Sequence, residues 1–343
     1  MENLLEVRNL KTYFYNDGVE TPAVDGVSFE LKKGETLGIV GESGSGKSIT
    51  SLSLLQLIPK PYGKIVEGEI IFKGRNLREL NDKEIRKVRG NEISMIFQEP
   101  MTSLNPVYTV GNQISEVITL HQHLNHKQAK EIVIKLLKTV GIPNPEDRFN
   151  QYPHQLSGGM RQRVMIAMAI ACNPDLLIAD EPTTALDVTT QAQILELMNN
   201  LKKQTNTSIL LITHDLGVIA DSAEKVAVMY LGRIVEYTDV ETFFENPKHP
   251  YSKGLINSIP SLTNRVERLT PIQGQVPHPS SVRSGCRFAG RCEHAVELCH
   301  NSEPPLLSIS NQKVRCWIYS AQWDIEEKGE KSNGREIAAG RES

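Results

Sequence analysis

Hydrophobic and polar positions follow two alternating patterns along this chain. Short apolar runs, of the kind that form buried strands, are separated by longer stretches in which apolar residues recur at helical spacing. The strands are predicted at 37–40, 93–97, 176–180, 208–213 and 226–231. The helices are predicted within 49–55, 110–140, 160–172 and 188–203. Strands that alternate with helices predict an α/β fold with a mainly parallel sheet covered by helices.

Two regions modify this simple pattern. Strands predicted within 4–15, 24–31 and 68–72 add an antiparallel portion at the N-terminal end. A helical stretch at about 99–172 interrupts the succession of strands and helices and predicts a helical subdomain. The last residues, 324–343, are polar and contain glycine, a composition typical of a disordered tail.

The length and charge of the chain limit the kinds of partner that it has. Its 343 residues predict one large domain with an appendage. The net charge is −3 with no strongly basic patch, so a nucleic-acid partner is not expected. No apolar run reaches about 18 residues and the acidic N-terminus lacks a signal-peptide pattern. We therefore expect a cytoplasmic chain that reaches any membrane through another subunit.

The segment Gly41–Ser48 has the form G-x-x-x-x-G-K-S between a predicted strand and a predicted helix. Its glycines allow backbone N–H groups to surround a phosphate, and the helix N-terminus adds a partial positive charge. Lys47 is expected to reach the β- and γ-phosphates, and the Ser48 hydroxyl is expected to bind Mg²⁺. Taken alone, this motif leaves GTPases, kinases and helicases open.

Two further elements fit a phosphate-transfer site. Asp180 ends an apolar strand, where a carboxylate beside the loop can hold Mg²⁺, and Glu181 next to it can orient and deprotonate a water molecule. Ser157, Gly158 and Gly159 directly precede a helix and predict a second anion-binding site. Two copies that face each other head to tail would bring this second site to the γ-phosphate held by the other copy.

Together these motifs resemble those of the ATP-binding cassette (ABC) ATPases over roughly residues 4–258. Gly41–Ser48 is similar to the Walker A loop, 176–180 to the Walker B strand, and 156–160 to the family signature in the form Leu-Ser-Gly-Gly-Met. The resemblance implies an α/β P-loop NTPase cassette that binds ATP with Mg²⁺ and hydrolyses it. It also implies the head-to-tail dimer of cassettes.

The resemblance assigns roles to individual residues. It implies that Glu181 is the catalytic glutamate, that Gln98 senses Mg²⁺ and the attacking water, and that His214 contacts the γ-phosphate. The D-loop, which ends at Asp187, would contact the opposite subunit. The other residues placed at ATP are Phe14 against the adenine, with Tyr13 as the alternative, and Ser43, Gly44, Ser45, Gly46, Lys47, Ser48 and Ile49 around the phosphates.

Four segments resemble peptide and nickel importer ATPases in particular: 40–48, 97–106, 247–260 and the C-terminal stretch 271–317. Together they are most similar to the dipeptide/oligopeptide importer ATPases. This resemblance implies a peripheral subunit on the cytoplasmic face of the cell membrane, bound to transmembrane permease subunits. A second ATPase subunit, which completes a heterodimer, and an extracytoplasmic peptide-binding protein are the other implied partners.

Four cysteines lie in the C-terminal stretch with the spacing C-x5-C-x6-C-x16-C. Clustered cysteines in a cytosolic protein indicate a metal site more than disulfides. Zinc ribbons usually present close C-x2-C pairs, and this chain has none. The spacing therefore favours a [4Fe–4S] cluster, with Zn²⁺ and unliganded thiols as alternatives. The predicted ligands are Cys286, Cys292, Cys299 and Cys316.

The predicted domains are an ATP-binding cassette at 1–258, a C-terminal extension with the four cysteines at 259–323, and the tail at 324–343. Two alternatives to peptide import stay open: nickel import by an ATPase of the same family, and a soluble ABC ATPase that remodels macromolecules. A cassette does not touch the imported substrate, so its own residues do not separate peptides from nickel.

Overall fold

Two β-sheets form the core of the protein in a computed structural model that describes residues 3–16, 18–99, 103–184, 186–258, 272–281 and 284–323. The strands are β1 Asn3–Asn16, β2 Val19–Lys32, β3 Thr36–Val40, β4 Gly63–Phe72, β5 Arg75–Asn76, β6 Ile93–Ile96, β7 Leu176–Asp180, β8 Ser208–Ile212, β9 Lys225–Tyr230, β10 Arg233–Asp239, β11 Leu307–Ile309 and β12 Gln312–Val314. One sheet has the order β2-β1-β4-β5 and is antiparallel. The other has the order β11-β12-β10-β9-β3-β8-β7-β6.

Helices cover the larger sheet and form the region that joins β6 to β7. The α-helices are α1 Lys47–Leu54, α2 Asp82–Val88, α3 Val110–Gln122, α4 His126–Thr139, α5 Pro145–Phe149, α6 Gly158–Ile170, α7 Val188–Thr205, α8 Leu216–Ser222, α9 Val240–Glu245, α10 Pro250–Asn257 and α11 Glu297–Asn301. Short 3₁₀ helices lie at Leu77–Glu79, Pro153–Gln155, Ala289–Arg291 and Trp317–Tyr319.

The parallel strands at the centre of the larger sheet contribute side chains to both of its faces. In β3, Leu37 and Ile39 pack with the antiparallel sheet, whereas Val40 packs with the helical side. Such two-sided burial explains why these strands are continuous apolar runs in the sequence. The strand β3 pairs in parallel with β8, and β8 with β7. The carboxyl ends of β3, β7 and β8 therefore meet at one edge of the sheet, which brings the loops that follow them together.

The single helical stretch expected at 110–140 is two helices. His123 ends α3 with a left-handed backbone (φ 55), which turns the chain. Asn125 then begins α4 with a capping box, in which its side chain accepts a hydrogen bond from Gln128 N–H and the Gln128 side chain accepts one from Asn125 N–H. Ile118 of α3 and Val133 of α4 are fully buried in one apolar cluster with the helical face of the larger sheet.

The C-terminal extension is joined to the larger sheet. The hairpin β11–β12 adds to its edge because β12 pairs antiparallel with β10, with Glu236 opposite Val314. The sequence pattern does not predict these three-residue strands. Among the described residues, no helix combines the length and the apolar character that crossing a membrane requires. The predicted disordered tail, 324–343, lies outside the described residues.

Candidate functional site

The loop Gly41–Gly46 joins β3 to α1 through backbone conformations that favour glycine. Gly41 has φ 152 and Gly46 has φ 100. A Cβ on Gly41 would lie 2.2 Å from the carbonyl oxygen of Met229, and a Cβ on Gly46 would lie 2.4 Å from that of Ala23. Glycine therefore allows the loop to pack closely against β9 and β2. Gly46 provides no side-chain cap for α1, so the first N–H groups of this helix are available to an anion.

Lys47 and Ser48, at the start of α1, form hydrogen bonds with residues at the same edge of the larger sheet. Lys47 Nζ donates to the carbonyl oxygens of Gly41 at 2.8 Å and of Glu42 at 3.1 Å, and its burial lowers its pKa. Ser48 Oγ donates to Asp180 Oδ1 at 3.1 Å. Burial raises the pKa of Asp180 to about 6. A buried carboxylate beside a hydroxyl is a donor set that suits a hard divalent cation, which would restore the charged form of the acid.

The carboxylate of Glu181 lies at the centre of a polar group beside the phosphate loop. Its Oε2 accepts hydrogen bonds from Gln98 Nε2 at 3.0 Å and from Thr184 Oγ1 at 2.9 Å, while His214 Nδ1 lies 3.4 Å from Oε1. Glu181 has a left-handed backbone (φ 48), held by a 2.8 Å hydrogen bond from its N–H to the Ile212 carbonyl. Backbone strain of this kind in a non-glycine residue is characteristic of functional sites.

The signature and D-loop residues lie apart from this polar group. Ser157 begins α6, and its Oγ accepts a hydrogen bond from Met160 N–H at 3.3 Å. Asp187 begins α7, where the Thr190 N–H donates to its carboxylate at 2.9 Å and lowers its pKa. Both side chains are exposed, and a Cβ on Gly158 would meet no atom within 4 Å. In the described parts of the chain, neither Ser157 nor Asp187 hydrogen-bonds to the phosphate loop.

Gly159, in contrast to Gly158, packs against another part of the chain. A Cβ at this position would lie 3.0 Å from Thr190 Cγ2, so the N-termini of α6 and α7 are in close contact. The signature helix also contacts the Glu181 turn, because Gln162 Nε2 donates to the Pro182 carbonyl at 2.5 Å. The helix that follows the exposed Ser157 therefore contacts the turn that holds Glu181.

The two candidates for the adenine-stacking aromatic differ in their surroundings. Tyr13 Oη donates to Asp25 Oδ1 at 2.8 Å, and the Asp25 N–H donates to the Gly232 carbonyl at 2.8 Å. Gly232 in turn donates from its N–H to Ser45 of the phosphate loop at 2.8 Å. Phe14 instead lies against Gly63, where an added Cβ would approach its Cε1 to 2.9 Å. Hydrogen bonds therefore connect the Tyr13 hydroxyl to the phosphate loop, but they do not decide which ring stacks on adenine, because the Phe14 side chain has no polar atom.

The four cysteines of the extension line one small cavity of about 10 Å³, together with Phe288 and Trp317. None of these four described cysteines forms a disulfide. Burial raises the pKa of Cys286 to about 12 and that of Cys316 to about 11. Within the described residues, no group of three or more His, Cys, Asp or Glu side chains has an arrangement that could hold a metal ion. The predicted metal-binding character of this extension is therefore not supported, because the thiols share a cavity without a ligating geometry.

Two contacts of the site were not predicted from the sequence. Thr184, identified there only as part of the D-loop, donates to Glu181. Tyr251, noted only within the segment that resembles importer ATPases, accepts a 2.8 Å hydrogen bond from the N–H of Glu42 in the phosphate loop. The resemblance of the segment to importer ATPases pointed to Tyr251. The contact itself could not be predicted, because no local sequence pattern indicates which distant residue a side chain meets.

Comparisons with known proteins identify the family of the chain. Residues 24–184 match the family model described as ABC transporter, and 235–299 match the one described as oligopeptide/dipeptide transporter, C-terminal region. Among solved structures, the ATP-binding cassette MJ0796 as a post-hydrolysis dimer bound to ADP and Pi is similar with a TM-score of 0.62 and 27% identity. The match covers 69% of this chain and 98% of that one.

Curated relatives match over nearly the whole length. The oligopeptide transport ATP-binding protein AppD of Bacillus subtilis (strain 168) is 53% identical over 323 residues, which cover 94% of this chain and 98% of AppD. The dipeptide transport ATP-binding protein DppD of the same strain is 50% identical over 319 residues, covering 93% and 95%. The chain belongs to the ABC transporter ATP-binding proteins, in the family that carries the oligopeptide/dipeptide transporter C-terminal region.

Proposed function

We propose that this protein is the ATP-hydrolysing subunit that energises import of dipeptides or oligopeptides across the cytoplasmic membrane. The observation that carries the proposal is the Glu181 carboxylate, which contacts Gln98, Thr184 and His214 beside the Ser48–Asp180 pair. The names of the relatives AppD and DppD give the transported class as oligopeptides and dipeptides. They favour peptide import over both alternatives, nickel import and a soluble remodelling ATPase.

Hydrolysis in this site is a matter of positioning and electrostatics. Lys47 lies at the start of α1 and supplies positive charge to the β- and γ-phosphates. Glu181 orients the attacking water and accepts its proton, because its carboxylate is the base beside the phosphate loop. His214, 3.4 Å from that carboxylate, holds the water and the γ-phosphate in register. The hydrogen bond from Gln98 to Glu181 connects the base to the surface where a membrane partner would bind.

Ser48 and Asp180 are the residues that we assign to Mg²⁺, with Gln98 completing the set. The fit rests on the hydroxyl–carboxylate pair and on the raised pKa of the buried Asp180. When bound, Mg²⁺ neutralises phosphate charge. For the adenine-stacking role we propose Phe14, with Tyr13, whose hydroxyl donates to Asp25, as the alternative.

The exposed Ser157 and Asp187 support a site that is shared between two cassettes. In a head-to-tail dimer, Ser157 and the two glycines after it would present N–H groups to the γ-phosphate bound by the other subunit. Asp187 would contact the same partner. We propose a second, different ABC ATPase chain as this partner. The solved neighbour MJ0796 is itself described as a dimer with ADP and Pi.

A groove between the sheet core and the helical region supports a membrane partner. It has a volume of about 340 Å³ and is lined mainly by apolar side chains, among them Leu57, Phe97 and Leu120. Phe97 precedes Gln98, so an occupant of the groove would lie next to a contact of Glu181. We propose that a cytoplasmic helix of the permease occupies it, which places the protein at the cytoplasmic face of the membrane. The peptide would reach the permease from an extracytoplasmic binding protein.

Reconstitution with the permease and its binding protein in lipid vesicles tests this function. We expect ATP hydrolysis to rise when the binding protein carries an oligopeptide, and to remain basal with a nickel salt. The variant Leu120→Glu, at a side chain that is 65% exposed in the groove, should reduce the peptide-stimulated rate at least about tenfold, because burying a carboxylate against the permease is unfavourable.

The matched control is Val19→Glu, on the edge strand β2, where Val19 is 48% exposed. We expect this variant to retain the stimulated rate. Stimulation by nickel instead of peptide would contradict the substrate class. Unchanged peptide stimulation in Leu120→Glu would contradict the docking groove while leaving the ATPase assignment intact.

We also infer that the four thiols of the extension hold a metal, with [4Fe–4S] favoured by their spacing and Zn²⁺ as the alternative. Four sulfur donors around one cavity support the inference, although they do not have a ligating arrangement in the described structure. A cavity of about 10 Å³ holds about one water molecule, so a four-iron cluster requires the thiols to move apart. When bound, either metal would crosslink the extension and hold its thiols as thiolates.

Metal analysis of protein purified without oxygen tests this inference. We expect about four iron and four sulfide per chain with a visible charge-transfer band, and loss of both in Cys299→Ser. Cys172→Ser is the matched control because Cys172 lies outside the cavity. Stoichiometric zinc in a colourless protein would select the alternative, and a metal-free protein would overturn the inference.

A further inference from the structure

The loop between Cys286 and Cys292 contacts the phosphate loop from outside the cassette sequence. Its two arginines, Arg287 and Arg291, extend from the extension towards the ATP site, and their side chains are 10% and 6% exposed. Buried guanidinium groups require charged or hydrogen-bonding partners, since desolvation of an unpaired charge is costly. Arg291 pairs with Glu42 of the phosphate loop, and Arg287 pairs with Asp25, which accepts a hydrogen bond from Tyr13.

Arg291 holds the phosphate loop through Glu42. Its Nη1 and Nη2 donate to the two carboxylate oxygens of Glu42 at 2.6 and 3.1 Å, which is a bidentate pair. Arg291 is itself fixed, because its Nε donates to the Gln273 carbonyl at 2.9 Å and its guanidinium lies 5.8 Å from the Tyr230 ring centroid. The carbonyl of the same Glu42 accepts the hydrogen bond from Lys47. Glu42 thus connects Arg291 to Lys47, the lysine of the phosphate loop.

Arg287 holds the adenine end of the site through Asp25. It donates to Asp25 Oδ2 and to the Leu231 carbonyl, while Asp25 Oδ1 accepts the hydrogen bond from Tyr13. Arg233 Nη2 lies 2.9 Å from the same Asp25 oxygen and shares its charge. The two arginines of one loop therefore contact both ends of the nucleotide site.

We propose that the Cys286–Cys292 loop is a brace for the ATP site, with Arg291 and Arg287 as positioning residues. Arg291 fixes the course of the phosphate loop and neutralises Glu42, whose carboxylate would otherwise repel the triphosphate. Arg287 fixes Asp25 and through it the Tyr13 ring. Neither arginine touches the reacting atoms, so their loss weakens ATP binding and spares the chemical step. The proposal rests on the proposed ATPase function.

The test is a double-mutant cycle on Arg291 and Glu42, with the KM for ATP and kcat measured on the full chain. We expect Arg291→Ala to raise KM about tenfold or more, as for a lost buried charge pair, with kcat within about threefold of the parent. Glu42→Gln introduced into Arg291→Ala should bring KM most of the way back to the parent value, because it removes the unpaired carboxylate. Arg291→Lys should have a KM between those of the parent and Arg291→Ala, since lysine keeps the charge and loses the bidentate geometry. The matched control, Arg86→Ala, is exposed on α2 and should leave KM unchanged.

The outcomes separate this proposal from the proposed function. An unchanged KM in Arg291→Ala, or effects of Arg291→Ala and Glu42→Gln that simply add, would overturn the brace while the parent enzyme still hydrolyses ATP. A parent protein that neither binds nor hydrolyses ATP would overturn the proposed function instead. If Arg291→Ala fails to fold, Arg291→Lys alone decides: an unchanged KM in a folded Lys variant overturns the bidentate role.

Discussion

Replacing Glu181 with glutamine is expected to lower kcat for ATP hydrolysis about 100- to 10,000-fold, the usual contribution of a positioned general base. Glutamine keeps the length of the side chain and an oxygen that can accept from Gln98 or Thr184, so the site keeps its shape. It cannot accept the proton of the attacking water. Binding of ATP persists, and the ATP-bound dimer should accumulate because the step that separates the subunits is blocked.

Phosphate release and size-exclusion chromatography with ATP and Mg²⁺ measure these two effects. The matched control is Glu131→Gln on the exposed face of α4, for which we expect the parent rate. A Glu181→Gln protein that hydrolyses ATP at the parent rate would refute the role given to this carboxylate. Loss of ATP binding in the same variant would show instead that Glu181 acts in holding the nucleotide.

Lys47→Ala should act on binding as well as on turnover. The ammonium group is buried among the Gly41 and Glu42 carbonyls, and the nearby carboxylates of Glu181 and Asp180 favour its charged form. Removing it deletes the buried positive charge that is assigned to the phosphates, and leaves those two carboxylates without a counter-charge. We expect the affinity for ATP to fall about 30- to 1,000-fold, the range for truncating one partner of a buried charge pair.

Titration with a fluorescent ATP analogue measures this affinity, and thermal unfolding checks the fold. Lys127→Ala, at an exposed position of α4, is the matched control and should bind like the parent. Affinity within about threefold of the parent in Lys47→Ala would contradict the assignment of Lys47 to the phosphates.

The strands and the phosphate-binding site follow patterns that are local in the sequence. The runs at 37–40 and 176–179 contain no polar side chain because both faces of a parallel strand are buried, and this burial is what makes them recognisable. Because these strands are parallel, the motifs that follow them lie at the same edge of the sheet. Gln98, Glu181 and His214 lie together at this edge, and the roles that the family resemblance gives them stay predictions.

The order of Tyr13 and Phe14 was harder to predict because β1 is irregular. Its pairing with β2 has register shifts, one of them between Thr12 and Tyr13. A bulge of this kind breaks the strict alternation from which a side chain's face would be predicted. The choice of Phe14 over Tyr13 for adenine stacking therefore stays a prediction, and the hydrogen bond from Tyr13 to Asp25 does not decide it.

Long-range pairs and short strands were beyond sequence reasoning for a different reason. The Arg291–Glu42 pair joins residues 249 positions apart, and neither residue type is unusual on its own. The strand β12 has three residues and gains its place from β10, not from its own propensity. For the cysteines, spacing specifies the donor atoms but not whether they converge on a metal.

The pairing of Glu42 with Arg291 also has a consequence for the order in which the subunit matures on the ribosome. Most of the chain that precedes the extension leaves the ribosome before Arg291 does, and domains fold as they emerge. The phosphate loop must therefore wait for the extension before its carboxylate is neutralised. Under the proposed brace, tight binding of ATP is acquired near the end of synthesis, and a chain truncated before Arg291 lacks the contact to Glu42.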